Sequence, residues 1–138
     1  MFNCVNKHKY KGTYPITYRS QWELNYMRWC DHNPNVISWG SESIVIPYAN
    51  PLTGRTSRYF IDFNIVVKTK TGEVKKFLIE IKPHAQTIPP VQTRNTKSLA
   101  KRQAEYVKNQ SKWKSATEYS KTHGFEFVIL TEKHLKVK

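Results

Sequence analysis

Long apolar runs, paired cysteines and acidic residues are all scarce in this sequence of 138 residues. No apolar stretch approaches the roughly 18 residues that a membrane-spanning helix needs, and residues 1–7 contain no apolar signal core. The two cysteines, Cys4 and Cys30, belong to no C-x-x-C or histidine pairing that would indicate a zinc site. These absences exclude membrane-spanning and zinc-finger proteins and predict a cytosolic protein with free thiols.

Positive charge dominates, with 23 Lys and Arg against 10 Asp and Glu, a net charge of +13. A surplus this large creates a field that attracts polyanions. Basic residues are interleaved with aromatic, Asn and Gln residues, which favours nucleic acid as the partner. They do not line one face of an amphipathic helix, as binding to a membrane surface would require.

The local signals predict one domain over residues 1–138, opening with a basic, aromatic segment at residues 1–18 that resembles an extended arm. The capping box Ser20-x-x-Glu23 predicts a helix that begins after Ser20 and ends near His32. Strands are predicted at residues 36–39, 43–48, 57–68 and 74–82, and a last one at 125–130. A loop over residues 83–97 precedes a long helix over 98–123, which Gly124 ends.

This order of elements predicts an α/β fold. Short turns make the early strands an antiparallel meander, whereas the last strand returns after a helix and can lie parallel to a neighbour. The expected architecture is a mixed central sheet flanked by helices. Because residues 125–130 are nearly all apolar, we expect the last strand inside the sheet.

Three charged residues on predicted strands carry the chemistry: Asp62, Glu80 and Lys82. Burying an isolated carboxylate costs several kcal/mol. Residues two apart on a strand share a face, so Glu80 and Lys82 are neighbours, and Asp62 on the adjacent strand can face them. Such oxygen ligands suit Mg²⁺ or Mn²⁺. The set therefore predicts a metal site for phosphodiester chemistry.

Each of these residues also has a structural explanation. A Glu-x-Lys pair on a strand occurs by chance as a surface salt bridge, and Asp62 can be an edge-strand charge. The buried Asp together with the Glu-x-Lys of the next strand, in so basic a chain, favours the metal site. Glu23 stays open between capping-box residue and metal ligand or water-positioning carboxylate.

The motifs resemble a known superfamily. Arg19-Ser20-x-x-Glu23, Tyr59-x-x-Asp62-Phe63 and Glu80-x-Lys82-Pro83 resemble the PD-(D/E)XK nucleases, in particular the TnsA-type transposon endonucleases. Ile61 stands where the superfamily's name has proline. The opening at residues 5–15 and the stretch 39–48 are similar to a narrower group, the head-completion nucleases of T-even-like tailed phages.

The resemblance implies a restriction-endonuclease-like α-β-β-β-α-β core. It also implies that Glu23, Asp62 and Glu80 bind Mg²⁺ (or Mn²⁺), with Lys82 as the catalytic lysine of a DNA endonuclease. The phage group implies action on packaged DNA ends before the tail joins, in the host cytoplasm or on the virion. Capsid portal or head proteins are then partners, and a homodimer is typical of enzymes that cut both strands.

Two other functions fit the sequence. One is a non-catalytic protein that binds DNA ends or the portal and retains the nuclease fold. The other is the cutting subunit of a transposase. The intact set of Glu23, Asp62, Glu80 and Lys82 favours the enzyme over the first of these.

Several further residues are candidates for contact with DNA. The basic ones lie on the second helix and in the loop before it, and they are Lys97, Lys101, Arg102 and Lys108, with residues 92–97. Gln103, three residues before Tyr106, is either a polar residue near the metal site or part of a half-buried helix face. His84 follows Lys82 closely enough to approach the substrate. Glu42 is interpreted as a charge in a loop or at the start of a strand.

Overall fold

The computed structural model describes residues 1–91 and 96–135. These contain helices α1 (Gln21–His32), α2 (Thr96–His123) and α3 (Glu132–Leu135) and strands β1 (Val36–Ser41), β2 (Val45–Asn50), β3 (Arg55–Phe60), β4 (Phe63–Lys68), β5 (Val74–Ile81) and β6 (Glu126–Leu130). Short 3₁₀ helices occupy Lys7–Lys9 and His84–Gln86. Within the described ranges, no helix combines the length and the apolarity needed to cross a bilayer.

The central sheet has the strand order β1-β4-β5-β6. Strand β4 is antiparallel to β1 and to β5, whereas β6 is parallel to β5. Strands β2 and β3 form a separate antiparallel hairpin inserted between β1 and β4. Without that hairpin the order is α-β-β-β-α-β, so the predicted mixed sheet flanked by helices is confirmed.

The strand predicted over residues 57–68 is wrong, because the chain there forms two strands in two sheets. Strand β3 ends at Phe60 and β4 begins at Phe63. Tyr59 and Ile61 pack in the core cluster that includes Trp113 of α2, whereas Phe63 lies in the cluster beneath α1. The chain crosses between the sheets at Asp62, which therefore lies between two strands and not in the middle of one.

The last strand was expected inside the sheet, and that prediction is wrong. Within the described residues, β6 pairs only with β5 and stands at the edge. Both of its faces are nevertheless covered, since Val128 and Leu130 pack on the α1 side and Phe127 and Ile129 on the α2 side. The apolar sequence of β6 is explained by the burial of both its faces, which is possible for an edge strand as well as for an inner one.

Helix α1 has the bounds that its sequence signals predict. The Ser20 side chain accepts a hydrogen bond from the backbone N–H of Glu23 at 3.1 Å. The helix ends at His32, before Asn33-Pro34. Tyr26, Met27 and Cys30 are buried against the sheet. This packing holds α1 against the sheet, and it thereby fixes the position of Glu23 in the first turn of the helix.

The N-terminal segment, predicted as an extended arm, contains one short 3₁₀ helix and is packed into the core. Phe2, Tyr10 and Ile16 are buried in the cluster beneath α1. The fully buried carboxylate of Asp31, at the end of α1, accepts hydrogen bonds from the backbone N–H groups of Val5 (2.8 Å) and Asn6 (2.9 Å). The segment is therefore tied to α1.

Both cysteines are free, as predicted. The thiol of Cys4 donates a hydrogen bond to Asp31 at 3.1 Å. Burial, together with that carboxylate, raises the pKa of Cys4 to about 11. Burial also raises the pKa of Cys30. Neither thiol is a reactive thiolate at neutral pH.

Candidate active site

Asp62 and Glu80 come together where the chain crosses between the sheets. The Asp62 carboxylate accepts a hydrogen bond of 2.8 Å from the backbone N–H of Ile81, the residue after Glu80 on β5. Glu80 lies on the α2 side of β5, opposite the face that Ile79 and Ile81 present to α1. The structure thus brings the two predicted carboxylates to one place, through a side chain-to-backbone contact across the crossing.

The Glu80 carboxylate is almost completely buried, with 5% of the residue exposed. One of its oxygens accepts a hydrogen bond from the hydroxyl of Tyr59. The other lies 3.6 Å from the ammonium of Lys82, whose side chain is 25% exposed. Tyr59 entered the sequence analysis only as part of a motif, and its hydroxyl is a contact that the sequence did not reveal.

The pKa of Asp62 depends on the other three predicted site residues, Glu23, Glu80 and Lys82. Burial raises the pKa of Asp62 to about 8, and the neighbouring carboxylates of Glu80 and Glu23 contribute in the same direction. The Ile81 N–H and the Lys82 ammonium act against this rise. Burial likewise raises the pKa of Glu23, although the Ser20 hydroxyl opposes it. With Asp62 ionised, three carboxylates would share the one ammonium of Lys82, which is why Asp62 holds its proton.

We expect the metal-free protein to lose stability as the pH rises from about 4 to about 8. In this window folded Asp62 keeps a proton that the unfolded chain, with an ordinary pKa of 3.8, has released. Urea unfolding in EDTA at pH 5, 6.5 and 8 measures the trend. Asp62→Asn lacks this component, so its curve should fall less steeply, and parallel curves for the two proteins would contradict the assignment.

The donor set fits a hard divalent cation. Among residues 1–91 and 96–135, no three His, Cys, Asp or Glu side chains converge in a complete metal site. Mg²⁺, however, is usually held by one or two carboxylates together with waters and substrate phosphates. Asp62 and Glu80 supply two carboxyl groups, and burial and the Glu80 charge disfavour the ionised form of Asp62 when no cation is bound. In the part of the chain that the structure describes, no thiol or imidazole joins them that would favour a softer metal.

Comparison with known proteins assigns the sequence to a family. Residues 33–132 match the TnsA-like endonuclease N-terminal family. The chain belongs to that family. It is also 41% identical to the head completion nuclease of Enterobacteria phage T4, over 95% of this chain and 89% of that protein. No solved structure gives a significant match.

The matched part of the TnsA-like domain contains Asp62, Glu80, Lys82 and all of α2, but begins after Glu23. Glu23 lies at the start of α1, where the Ser20 hydroxyl contacts its carboxylate at 3.3 Å. It therefore keeps its capping position and at the same time acts on Asp62. The two interpretations left open for this residue are compatible.

Helix α2 adds a cation that the sequence analysis missed. The ammonium of Lys112 lies 5.4 Å from the centre of the Tyr59 ring and 5.8 Å from that of Tyr48. Burial lowers the pKa of Lys112, and the nearby Lys108 adds to this while Glu80 opposes it. The sequence shows only that Lys112 precedes Trp113, which lies on the apolar stripe of α2. The fold is needed to show that Lys112 lies near Tyr59 and interacts with the charge of Glu80.

The predicted DNA contacts fall into different environments. Lys101 and Arg102 line a cavity beside α2, and Lys97 is exposed on its first turn. Lys108 forms an ion pair with Glu105 at 2.9 Å, which reduces its availability to phosphate. Gln103 is exposed. Residues 92–95 of the predicted contact loop lie outside the described residues.

His84 lies in the segment after β5, and Glu42 lies directly after β1. The backbone N–H of His84 donates to the Glu132 carboxylate at 3.1 Å, which ties the segment after β5 to α3. Glu42 has a positive φ of 50° and pairs with Arg19 at 2.8 Å. Its carboxylate also raises the pKa of Glu23. Glu42 is thus a loop charge, as predicted, placed at the edge of the acidic cluster.

Proposed function

We propose that this TnsA-like protein is a divalent-metal-dependent DNA endonuclease with its centre at Asp62, Glu80 and Lys82. The observation that carries the proposal is the convergence of the buried Glu80 carboxylate, the half-buried Asp62 carboxylate and the Lys82 ammonium in a chain with a net charge of +13. Structural carboxylates gain nothing from mutual repulsion in a buried site. Perturbed groups of this kind mark functional sites.

In this proposal Asp62 and Glu80 hold Mg²⁺ or Mn²⁺, and Glu23 binds it directly or through a water. When bound, such an ion supplies charge stabilisation at the phosphodiester and lowers the pKa of a coordinated water. Lys82 orients the attacking water and stabilises the negative charge that develops on the phosphate. Tyr59 orients the Glu80 carboxylate by donating a hydrogen bond from its hydroxyl, as residues that hydrogen-bond to metal ligands commonly do.

The DNA backbone is held by cations near this centre. Lys112 stands beside Glu80, and Lys97, Lys101 and Arg102 lie further towards the start of α2. Contacts of this kind position the duplex without reading its sequence. We therefore propose cleavage with no strong sequence preference and a marked dependence on salt. The resemblance to the PD-(D/E)XK nucleases further implies products that carry 5′-phosphates.

The biological setting follows from the T4 relative, which is named for head completion. We propose that this protein acts in completing phage heads, in the host cytoplasm, on packaged DNA ends before the tail joins. Portal or head proteins are the partners that such a step requires. Cutting both strands would need two centres, which a homodimer supplies.

Supercoiled plasmid tests the proposed activity. With Mg²⁺ or Mn²⁺ the wild-type protein should produce nicked and then linear DNA, and DNA ligase should reseal the nicks because they carry 5′-phosphate and 3′-hydroxyl ends. Nicks that ligase cannot reseal would contradict the proposed products. If DNA is bound but not cut with either metal, the protein is instead a DNA-end-binding head protein that keeps the nuclease fold.

Tyr59→Phe should raise the Mg²⁺ concentration needed for half-maximal cleavage by about 10- to 100-fold, since the variant leaves the Glu80 carboxylate without its hydroxyl donor. The ring and its packing remain. Tyr48→Phe is the matched control, since Tyr48 is equally buried beside Tyr59 and also lies under Lys112. A magnesium titration of the cleavage rate measures both, and equal values for the two variants would contradict the role given to Tyr59.

A further inference from the structure

A cavity of about 570 Å³ lies between α2 and the segment that follows β5. This volume is typical of sites that enclose a small organic group. The walls combine apolar, aromatic, amide and charged side chains, among them Ile88, Pro89, Lys101, Arg102, Tyr106 and Asn109. None of these residues has a place in the proposed hydrolytic centre.

Asn109 is the most informative residue of the cavity wall. It is only 3% exposed, and within residues 1–91 and 96–135 its carboxamide takes part in no side-chain hydrogen bond. Because Asn109 lines the cavity, its amide is available to a group that enters there. A ligand that presents one donor and one acceptor side by side would satisfy it. The Watson–Crick or Hoogsteen edge of a nucleobase has this pattern, and Asn pairs with such edges.

The other walls suit the rest of a nucleotide. Tyr106 is half-buried in the cavity and offers an aromatic ring, on which bases of any sequence stack. Ile88 and Val91 are exposed apolar side chains on the opposite wall. Lys101 and Arg102 supply positive charge for a phosphate. Amide, ring and cations together match a nucleotide better than they match a lipid or a peptide.

The cavity adjoins the proposed centre. Ala85 and Gln86, in its wall, follow Lys82 by three and four residues. Glu105, on the facing wall, is close enough to Lys82 for that ammonium to stabilise its charge. A nucleotide in the cavity would therefore lie beside a phosphate held at Lys82.

We propose that this cavity receives an unpaired nucleotide next to the bond that is cut, with Asn109 on the base edge and Tyr106 against its face. The preferred substrate is then DNA with an unpaired nucleotide, as at a bulge, gap or frayed end, and not a fully paired duplex. Extruding a base from a duplex costs stacking and pairing, which an unpaired nucleotide has already lost. The inference rests on the proposed function for its position next to the cut, but not for binding.

Binding in EDTA tests the inference without any cleavage. Fluorescence anisotropy compares a labelled duplex with one unpaired nucleotide and the same duplex fully paired. The wild-type protein should bind the first roughly tenfold more tightly, the contribution of one stacked base. Asn109→Leu should bind both equally. Gln110→Ala, which removes an exposed amide one residue further along α2, should keep the full preference.

A second variant covers the case in which Asn109→Leu fails to fold. Ala85 is exposed at the cavity wall, so Ala85→Trp fills the cavity from outside and should also abolish the preference. Equal binding of the two DNAs by the wild-type protein, or a preference that survives both substitutions, would overturn the inference. A preference in EDTA without cleavage in Mg²⁺ would support the cavity and count against the proposed nuclease.

Discussion

Asp62→Asn is expected to make the protein more stable and, as a nuclease, inactive. Asparagine keeps the hydrogen bond from the Ile81 N–H but removes a charge that burial and the Glu80 and Glu23 carboxylates disfavour. The unfolding midpoint in EDTA at pH 8 should therefore rise. Cleavage in Mg²⁺ should fall by at least about 10³-fold, since a metal ligand contributes several kcal/mol to transition-state stabilisation.

The opposite signs of these two effects make the prediction specific. A carboxylate that merely supported the fold would lower stability on removal. Glu73→Gln, in the exposed turn between β4 and β5, is the control and should change neither quantity. If Asp62→Asn unfolds more readily than the wild-type protein, the site is structural and the nuclease assignment of this residue fails.

Asp31→Asn is expected to destabilise the protein by about 3 kcal/mol at pH 7, with little effect on the active centre. The amide removes the charge that three donors share and turns one of its own N–H groups towards them. Asp31 also lies at the C-terminal end of α1, where a negative charge needs such partners. Urea unfolding of both proteins measures the loss.

The pH dependence of that loss has a definite sign. Burial alone raises the pKa of Asp31, but the hydrogen bonds from Val5, Asn6 and Cys4 outweigh it and lower the pKa below its ordinary 3.8. The stabilisation is therefore complete above about pH 4 and disappears as the pH falls through the folded-state pKa. The two proteins should converge in acid. Glu118→Gln, on the exposed face of α2, should match the wild type throughout, and a pH-independent gap for Asp31→Asn would contradict the account.

The fold could be predicted where local chemistry decides it. Ser20 and Asn33-Pro34 fix the ends of α1, and Gly124, with a φ of 74°, follows the end of α2. The break at Asp62 could not be predicted, because Tyr59, Ile61, Phe63 and Ile65 alternate as in one strand. Only tertiary packing sends the first two to α2 and the last two towards α1. Apolar composition likewise could not distinguish an inner strand from a covered edge strand at β6.

The candidate site divides in the same way. The spacing of Glu80 and Lys82, two residues apart on a strand, placed them together in advance, and Asp62 was expected to face them. The surroundings of Glu80 could not be read from the sequence, because the Tyr59 hydroxyl binds it from β3 and the Lys112 ammonium, over the Tyr59 ring, interacts with its charge from α2. Contacts between distant segments require the fold.

The most direct test of the account is the nicking of supercoiled plasmid by the wild-type protein and by Lys82→Met, followed through chelation and metal addition. The wild-type protein should nick in Mg²⁺, stop when EDTA is added and resume with excess Mg²⁺. Lys82→Met keeps the carboxylates and should remain inactive at every stage. Wild-type nicking that continues in EDTA, or a Lys82→Met variant as fast as the wild type, would contradict a metal-dependent centre at Asp62, Glu80 and Lys82.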